Sequence, residues 1–169
     1  MRWILAVVAM TASACGDSLS GPTPGHYTGH WTGTFIVRQC VPVGFTACEG
    51  TEAVGSVHAI DLMLIQTGAT VSGTLQVTEA PIYAMNVSGT ISGNVLTISG
   101  EVSDTFNNRV SFYRLRTTRW TTSVDDDGAM HGAFGLRHAW TWGIASMRPI
   151  GETWTLEQDA EISSLKPTT

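Results

Sequence analysis

The stretch YAMNVSGTISGNVLTISGEV, Tyr83 to Val102, decides the fold class. Apolar and polar residues alternate on both sides of Gly93-Asn94: Met85, Val87, Gly89 and Ile91 share one parity before the pair, and Leu96, Ile98 and Val102 share one after it. Successive side chains of a strand point to opposite faces, so a period of two marks half-buried β-strands. Glycine and asparagine both tolerate positive φ, which makes Gly93-Asn94 a two-residue hairpin turn.

The same pattern extends outward in both directions. Upstream, TVSGTLQV carries Val71, Gly73, Leu75 and Val77 on one face, VHAIDLMLIQ carries Ile60, Leu62 and Leu64, and HWTGTFIV carries Trp31, Gly33, Phe35 and Val37. Downstream, NRVSFYRLRTTRWTTSV is a long strand, bent or bulged because Val110 and Phe112 take one parity and Tyr113 and Leu115 the other. DDDG then makes a tight turn at Asp127-Gly128, and MHGAFGLR, AWTWGIASM and TWTLEQ complete the series. About eight to ten strands with short connections imply an all-β domain. Closing such a chain into an antiparallel up-and-down barrel removes its exposed edges, with a two-sheet sandwich as the alternative. The phrase VSGTL at Val71 to Leu75 is echoed by VSGTI at Val87 to Ile91. Two copies are too few for a solenoid, and a mid-strand glycine in each marks a bend or a close backbone approach.

Composition agrees: 43% hydrophobic and 14% charged residues, with 18 glycines and 6 prolines, suit a β-rich domain better than a helical bundle. The formal charge is −5. An acidic chain is a poor partner for nucleic acid or for anionic lipid headgroups.

The N-terminus reads as an export signal over residues 1–14: Arg2, an apolar run from Trp3 to Met10, then Thr11, Ala12, Ser13 and Ala14. The run is too short to span a bilayer, which takes about 20 apolar residues. Ala12-Ser13-Ala14 satisfies the small-x-small rule of ordinary signal cleavage. It also resembles, with Cys15, the lipobox of bacterial lipoproteins, although Ala12 stands where that family usually has leucine. The resemblance implies that Cys15 carries lipid and becomes the mature N-terminus. The GDSLSGPTPG that follows is a flexible tether, which an anchored domain needs. The expected organisation is therefore a signal peptide (1–14), a lipidated cysteine with its tether (15–28), a barrel domain (29–160) and a C-terminal tail (161–169). With Cys15 lipidated, Cys40 and Cys48 remain as a pair in a compartment where disulfides persist. No second cysteine pair or histidine cluster at zinc-site spacing accompanies them.

GHWTGTF, with Gly29-x-Trp31 opening the first strand, looks like the start of lipocalins and avidins, small barrels in which this motif lies beneath the closed end. The later LMLIQ, glycine turn and VSGTL are similar to the repeats of small bacterial lipoproteins described as lipocalin-like. The resemblance implies a calycin-type barrel with Gly29 and Trp31 structural at its end. It also implies a basic residue from the last strands stacked on Trp31, for which Arg137 and Arg148 both qualify.

Candidate site residues follow from the pattern. Trp140-x-Trp142 puts two indoles on one strand face and, with Trp120, makes either an aromatic wall around an apolar ligand or ordinary barrel core. Arg114 and Arg116 share a face: pointing inward they form an anion clamp, and pointing outward a solvated exterior. Evidence for catalysis is thin. His26 and His30 have the i, i+4 spacing of a helical metal pair but flank glycines at a strand edge. His58, His131 and His138 stand apart, and no serine or cysteine sits in a nucleophile motif. DDDG lacks the alternating spacing of a calcium loop. No catalytic residue, metal or cofactor is expected. The sequence leads to an exported protein tethered in the bacterial cell envelope, at the outer membrane, that holds a small apolar ligand in a lipocalin-like barrel. The alternative is a filled barrel that contacts or inhibits another envelope protein. Interior volume separates the two.

Overall fold

The computed structural model describes residues 26–44, 47–77, 84–106, 111–142 and 154–168. Eight strands run in chain order: β1 (Gly29–Val43), β2 (Val57–Thr67), β3 (Thr70–Val77), β4 (Ala84–Ser92), β5 (Val95–Phe106), β6 (Ser111–Val124), β7 (Met130–Trp142) and β8 (Trp154–Pro167). Each pairs antiparallel with its neighbour, and β8 returns to pair with β1, so the sheet is a closed up-and-down barrel. Both edges of β1 are occupied, by β2 and by β8, which excludes the two-sheet sandwich. A short 3-10 helix (Gly50–Glu52) lies between β1 and β2.

The period-two pattern becomes the inside and outside of the wall. His58, Ile60, Leu62 and Leu64 of β2 are buried, as are Val71, Leu75 and Val77 of β3, Met85, Val87 and Ile91 of β4, and Leu96 and Ile98 of β5. Gly93-Asn94 links Ser92 to its partner Val95 as a two-residue turn. The two echoed phrases pair with each other: Val71 stands opposite Gly89, and Gly73 opposite Val87. An added Cβ would collide with the Met63 carbonyl oxygen at Gly73 and with the Thr97 carbonyl oxygen at Gly89. The mid-strand glycines are therefore sites of close backbone approach, as a tightly curved wall demands.

Several boundaries differ from the sequence-based expectation. The break in β6 comes later than Phe112-Tyr113: Tyr113, Leu115 and Thr117 face inward, the register shifts between Thr117 and Arg119, and Trp120, Thr122 and Val124 continue the inner face. The β6–β7 turn begins earlier than Asp127-Gly128. The Gly128 N–H donates to the Asp125 carbonyl (3.1 Å), and the Asp125 carboxylate accepts from the N–H groups of Asp127 (3.0 Å) and Ala129 (2.8 Å). Residues 161–167 are not a tail but strand, with Ile162 and Leu165 buried and Pro167 paired with Trp31. Tyr27, which the sequence reading places in the tether, is fully buried. In both cases residues distant in the chain supply what composition does not show: β1 gives β8 a hydrogen-bonding edge, and Gln66 and Asn94 give Tyr27 its hydrogen-bond partners.

The topology gives the barrel two unlike ends. The β2–β3, β4–β5 and β6–β7 turns lie at one end with Tyr27 and the close of β8, here called the turn end. The other connections, including the one pinned by Cys40–Cys48, leave from the opposite loop end.

Candidate functional site

The turn end is a plug. The Trp31 ring is buried, and its Nε1–H donates to the Tyr27 carbonyl at 3.0 Å. The Tyr27 hydroxyl donates to the Asn94 carbonyl (2.7 Å), the Tyr27 N–H to Gln66 Oε1 (3.0 Å), and Asn94 Nδ2 to the Val124 carbonyl (2.9 Å). One aromatic residue before the first strand thus ties together the ends of β2, β4 and β6. Gly29 lets the chain turn from this plug into β1, since its φ of +149° is one that side-chain-bearing residues rarely adopt. Arg137 does not stack on Trp31. Along β8, Trp31 pairs with Pro167 and Arg137 with Glu157, ten residues apart, or about 30 Å at strand rise. Arg148 lies outside the described residues.

Between the ends, the described residues fill the interior. Phe35 meets Phe134 edge-on at 5.0 Å, and Phe134 lies 4.8 Å from Trp120. Trp120 is buried, with its Nε1–H donating to Thr122 Oγ1 at 3.0 Å, so it is a member of the core. Leu62, Leu75, Met85, Leu96 and Met130 are completely covered, and an open calyx would leave such side chains exposed to its cavity.

At the loop end the core becomes polar. The Tyr113 hydroxyl lies 2.9 Å from His138 Nδ1, His138 Nε2 lies 3.0 Å from Gln158 Oε1, and Gln158 Nε2 donates to the Glu52 carbonyl at 3.5 Å. The partners assign the protons: Tyr113 O–H donates to Nδ1, and Nε2–H donates to Gln158. Burial pushes the His138 pKa down, against the opposing pull of the Gln158 hydrogen bond, so the ring is neutral. Trp140, half-buried, stacks on His138 with centroids 5.8 Å apart and planes 15° apart, and lies 5.5 Å from Tyr113. Cys40 and Cys48 are joined, with Cα atoms 6.0 Å apart, and Cys40 stands opposite Gln158 in the β1–β8 register. The disulfide therefore holds the loop carrying Glu52 beside this polar chain. His58 joins the same end, 5.1 Å from Phe35 and hydrogen-bonded at 2.6 Å to Ser56 Oγ.

Of the residues predicted to line a ligand site, Trp140 stands at this mouth among those whose side chains are described. Trp142 ends β7 opposite Ser111, and its side chain lies outside the described residues. Arg114 and Arg116 fall on the outer face, between inward Tyr113, Leu115 and Thr117, so the inward clamp does not form; Arg114 Nε sits 3.2 Å from Glu101 Oε1. Residues 1–25, with the signal segment, Cys15 and most of the tether, lie outside the described residues. Sequence reasoning missed His138, which stands apart in the chain from Tyr113 and Gln158. The available signal was its place two residues before Trp140, on the same strand face. His30, read beside His26 as a rejected metal pair, instead contacts Asp61 at 2.7 Å on the outer wall. Among the described residues no group of three metal-ligating side chains forms, and no helix is long and apolar enough to cross a membrane. Compared with known protein families, curated proteins and solved structures, the chain matches none.

Proposed function

We propose that this is an exported, lipid-anchored protein of the bacterial cell envelope whose barrel works by contact with a partner protein, without catalysis. The filled interior is the observation that carries this reading. Among the described residues, the barrel is packed from Tyr27 and Trp31 through Phe35, Phe134 and Trp120 without a calyx along that length, and recognition falls to the outer wall and the loop end. Both ring nitrogens of His138 are engaged within the protein, which leaves the buried imidazole without a free base or acid position. The lipocalin-like affiliation belongs to the same proposal. It is supported by the up-and-down order of eight strands and by Gly29-x-Trp31 opening β1 at the plugged end. Anchoring rests on Cys15 after Ala12-Ser13-Ala14 and before a polar tether.

A second reading, a small apolar ligand held shallowly at the mouth, is favoured by the half-buried Trp140 ring at the edge of the Tyr113–His138–Gln158 chain. Native mass spectrometry of protein extracted from membranes separates the two. A stoichiometric protein complex supports the first reading. A small-molecule adduct lost on Trp140→Ala supports the second and overturns the first. Fatty-acid labelling compared between wild type and Cys15→Ala tests the anchor, and equal labelling refutes it.

A further inference from the structure

The outer wall near the loop end carries a row of charges that sequence spacing does not reveal. Glu101 of β5 stands opposite Arg116 of β6, Arg116 opposite Arg137 of β7, and Arg137 opposite Glu157 of β8. Arg114 lies two residues along the same face, opposite Ser103 and Ala139. Glu157 Oε1 accepts from Arg137 at 2.8 Å and Glu101 Oε1 lies 3.2 Å from Arg114, so the two carboxylates sit at the flanks of the row. At its centre two guanidiniums occupy directly opposed positions. Directly opposed like charges destabilise a sheet pair. This occurs in a chain with nine basic residues and a net charge of −5, where repulsion between cations is the easiest clash to avoid. The side chains are also held in place: those of Arg114 and Arg137 are only 37% and 24% exposed, and Nε of Arg116 is buried. Guanidinium forks fixed on neighbouring strands match the several oxygens of a tetrahedral oxyanion better than a single carboxylate does.

We propose that Arg116 and Arg137, flanked by Arg114, form a binding site for a phosphate-type oxyanion on the outer β6–β7 wall. The anion bridges the two opposed guanidiniums and offsets their mutual repulsion, while Glu157 orients Arg137 and Glu101 orients Arg114. The site is separate from the Trp140 mouth, because Arg114 and Arg137 point to the opposite face of the wall from Tyr113 and His138.

The experiment uses the full mature chain, with inorganic phosphate as one probe and vesicles containing an anionic phospholipid as the other, each against chloride at matched ionic strength. Wild type is expected to show a saturable rise in unfolding temperature with phosphate. Arg116→Gln, which leaves the Arg137–Glu157 and Arg114–Glu101 pairs in place, is expected to bind at least about tenfold more weakly while unfolding no earlier than wild type in phosphate-free, low-salt buffer. Arg38→Gln, which removes the exposed pair with Glu161 elsewhere on the wall, is expected to respond to phosphate as wild type does. Phosphate binding lost in Arg116→Gln assigns the site to a free anion. Arg116-dependent vesicle binding without a phosphate response assigns it to a lipid headgroup. No response to either probe, or equal responses in wild type and Arg116→Gln, overturns the proposal. Marked destabilisation of Arg116→Gln in phosphate-free buffer also overturns it, because it would show that the guanidinium is satisfied inside the protein.

Discussion

Replacing Tyr27 with alanine tests whether the chain before β1 is part of the fold or only a leash. The ring is fully buried, and truncating a buried aromatic side chain costs about 3–5 kcal/mol through lost transfer energy and the cavity left behind. The hydroxyl bond to the Asn94 carbonyl adds about 1 kcal/mol. The bonds made by the Tyr27 N–H and carbonyl are backbone bonds and survive in alanine. The expected loss is thus about 4–6 kcal/mol, a large share of the roughly 5–15 kcal/mol that holds a domain together. For a barrel of this size it corresponds to a fall in melting temperature of roughly 12–24 °C. Urea unfolding followed by tryptophan fluorescence reads it directly, since the Trp31 indole donates to the Tyr27 carbonyl. Tyr27→Phe separates the two contributions and should lose only about 1 kcal/mol. A Tyr27→Ala protein within about 0.5 kcal/mol of wild type would refute the plug and return residue 27 to the tether.

Trp31→Ala should lower the urea midpoint with a cost of about 3–5 kcal/mol, independent of any ligand, and a variant as stable as wild type would remove the closed end of the barrel. Intact-mass measurement should show a two-proton gain on reduction of Cys40–Cys48, and the short loop it closes implies a loss of about 2–3 kcal/mol in stability; free thiols in the native protein would contradict the pairing. His138 gives a pH signature. Burial holds its folded pKa below the ordinary value, so the unfolded chain binds the proton first as pH falls. The neutral ring's contribution is therefore complete above about pH 6.5 and declines below it, with a limiting slope of about 1.4 kcal/mol per pH unit. Wild type should lose more stability than His138→Gln between neutral and mildly acid pH, and parallel curves would show that the imidazole is not buried neutral.

The inner face of β2 to β5 was legible in the sequence because burial there follows strict alternation: residues 60, 62, 64, 71, 75, 77, 85, 87, 91, 96 and 98 were each assigned to it and each is buried. The Gly93-Asn94 turn and the cysteine pair were legible for a similar reason, since both depend on residues close together in the chain. Closure followed from the cost of leaving edges unpaired, while the alternating runs implied about eight to ten strands where the barrel has eight. Register was not legible. Bulges at Thr117–Arg119 in β6 and in the β1–β8 pairing shift one strand against another, and nothing local in the sequence fixes where they fall. Yet register is what put Tyr113 beside His138, set Arg116 opposite Arg137, carried Arg137 away from Trp31, and brought the two VSGT phrases face to face. Tyr27 was illegible for a related reason: a tyrosine in a Gly/Pro-rich stretch looks solvated until the distant turns at Gln66 and Asn94 supply its hydrogen-bond partners. Alternation and turn chemistry are properties of neighbouring residues and are written in the chain; the filled interior and the charge row depend on contacts between residues far apart in sequence, which exist only once the barrel has closed.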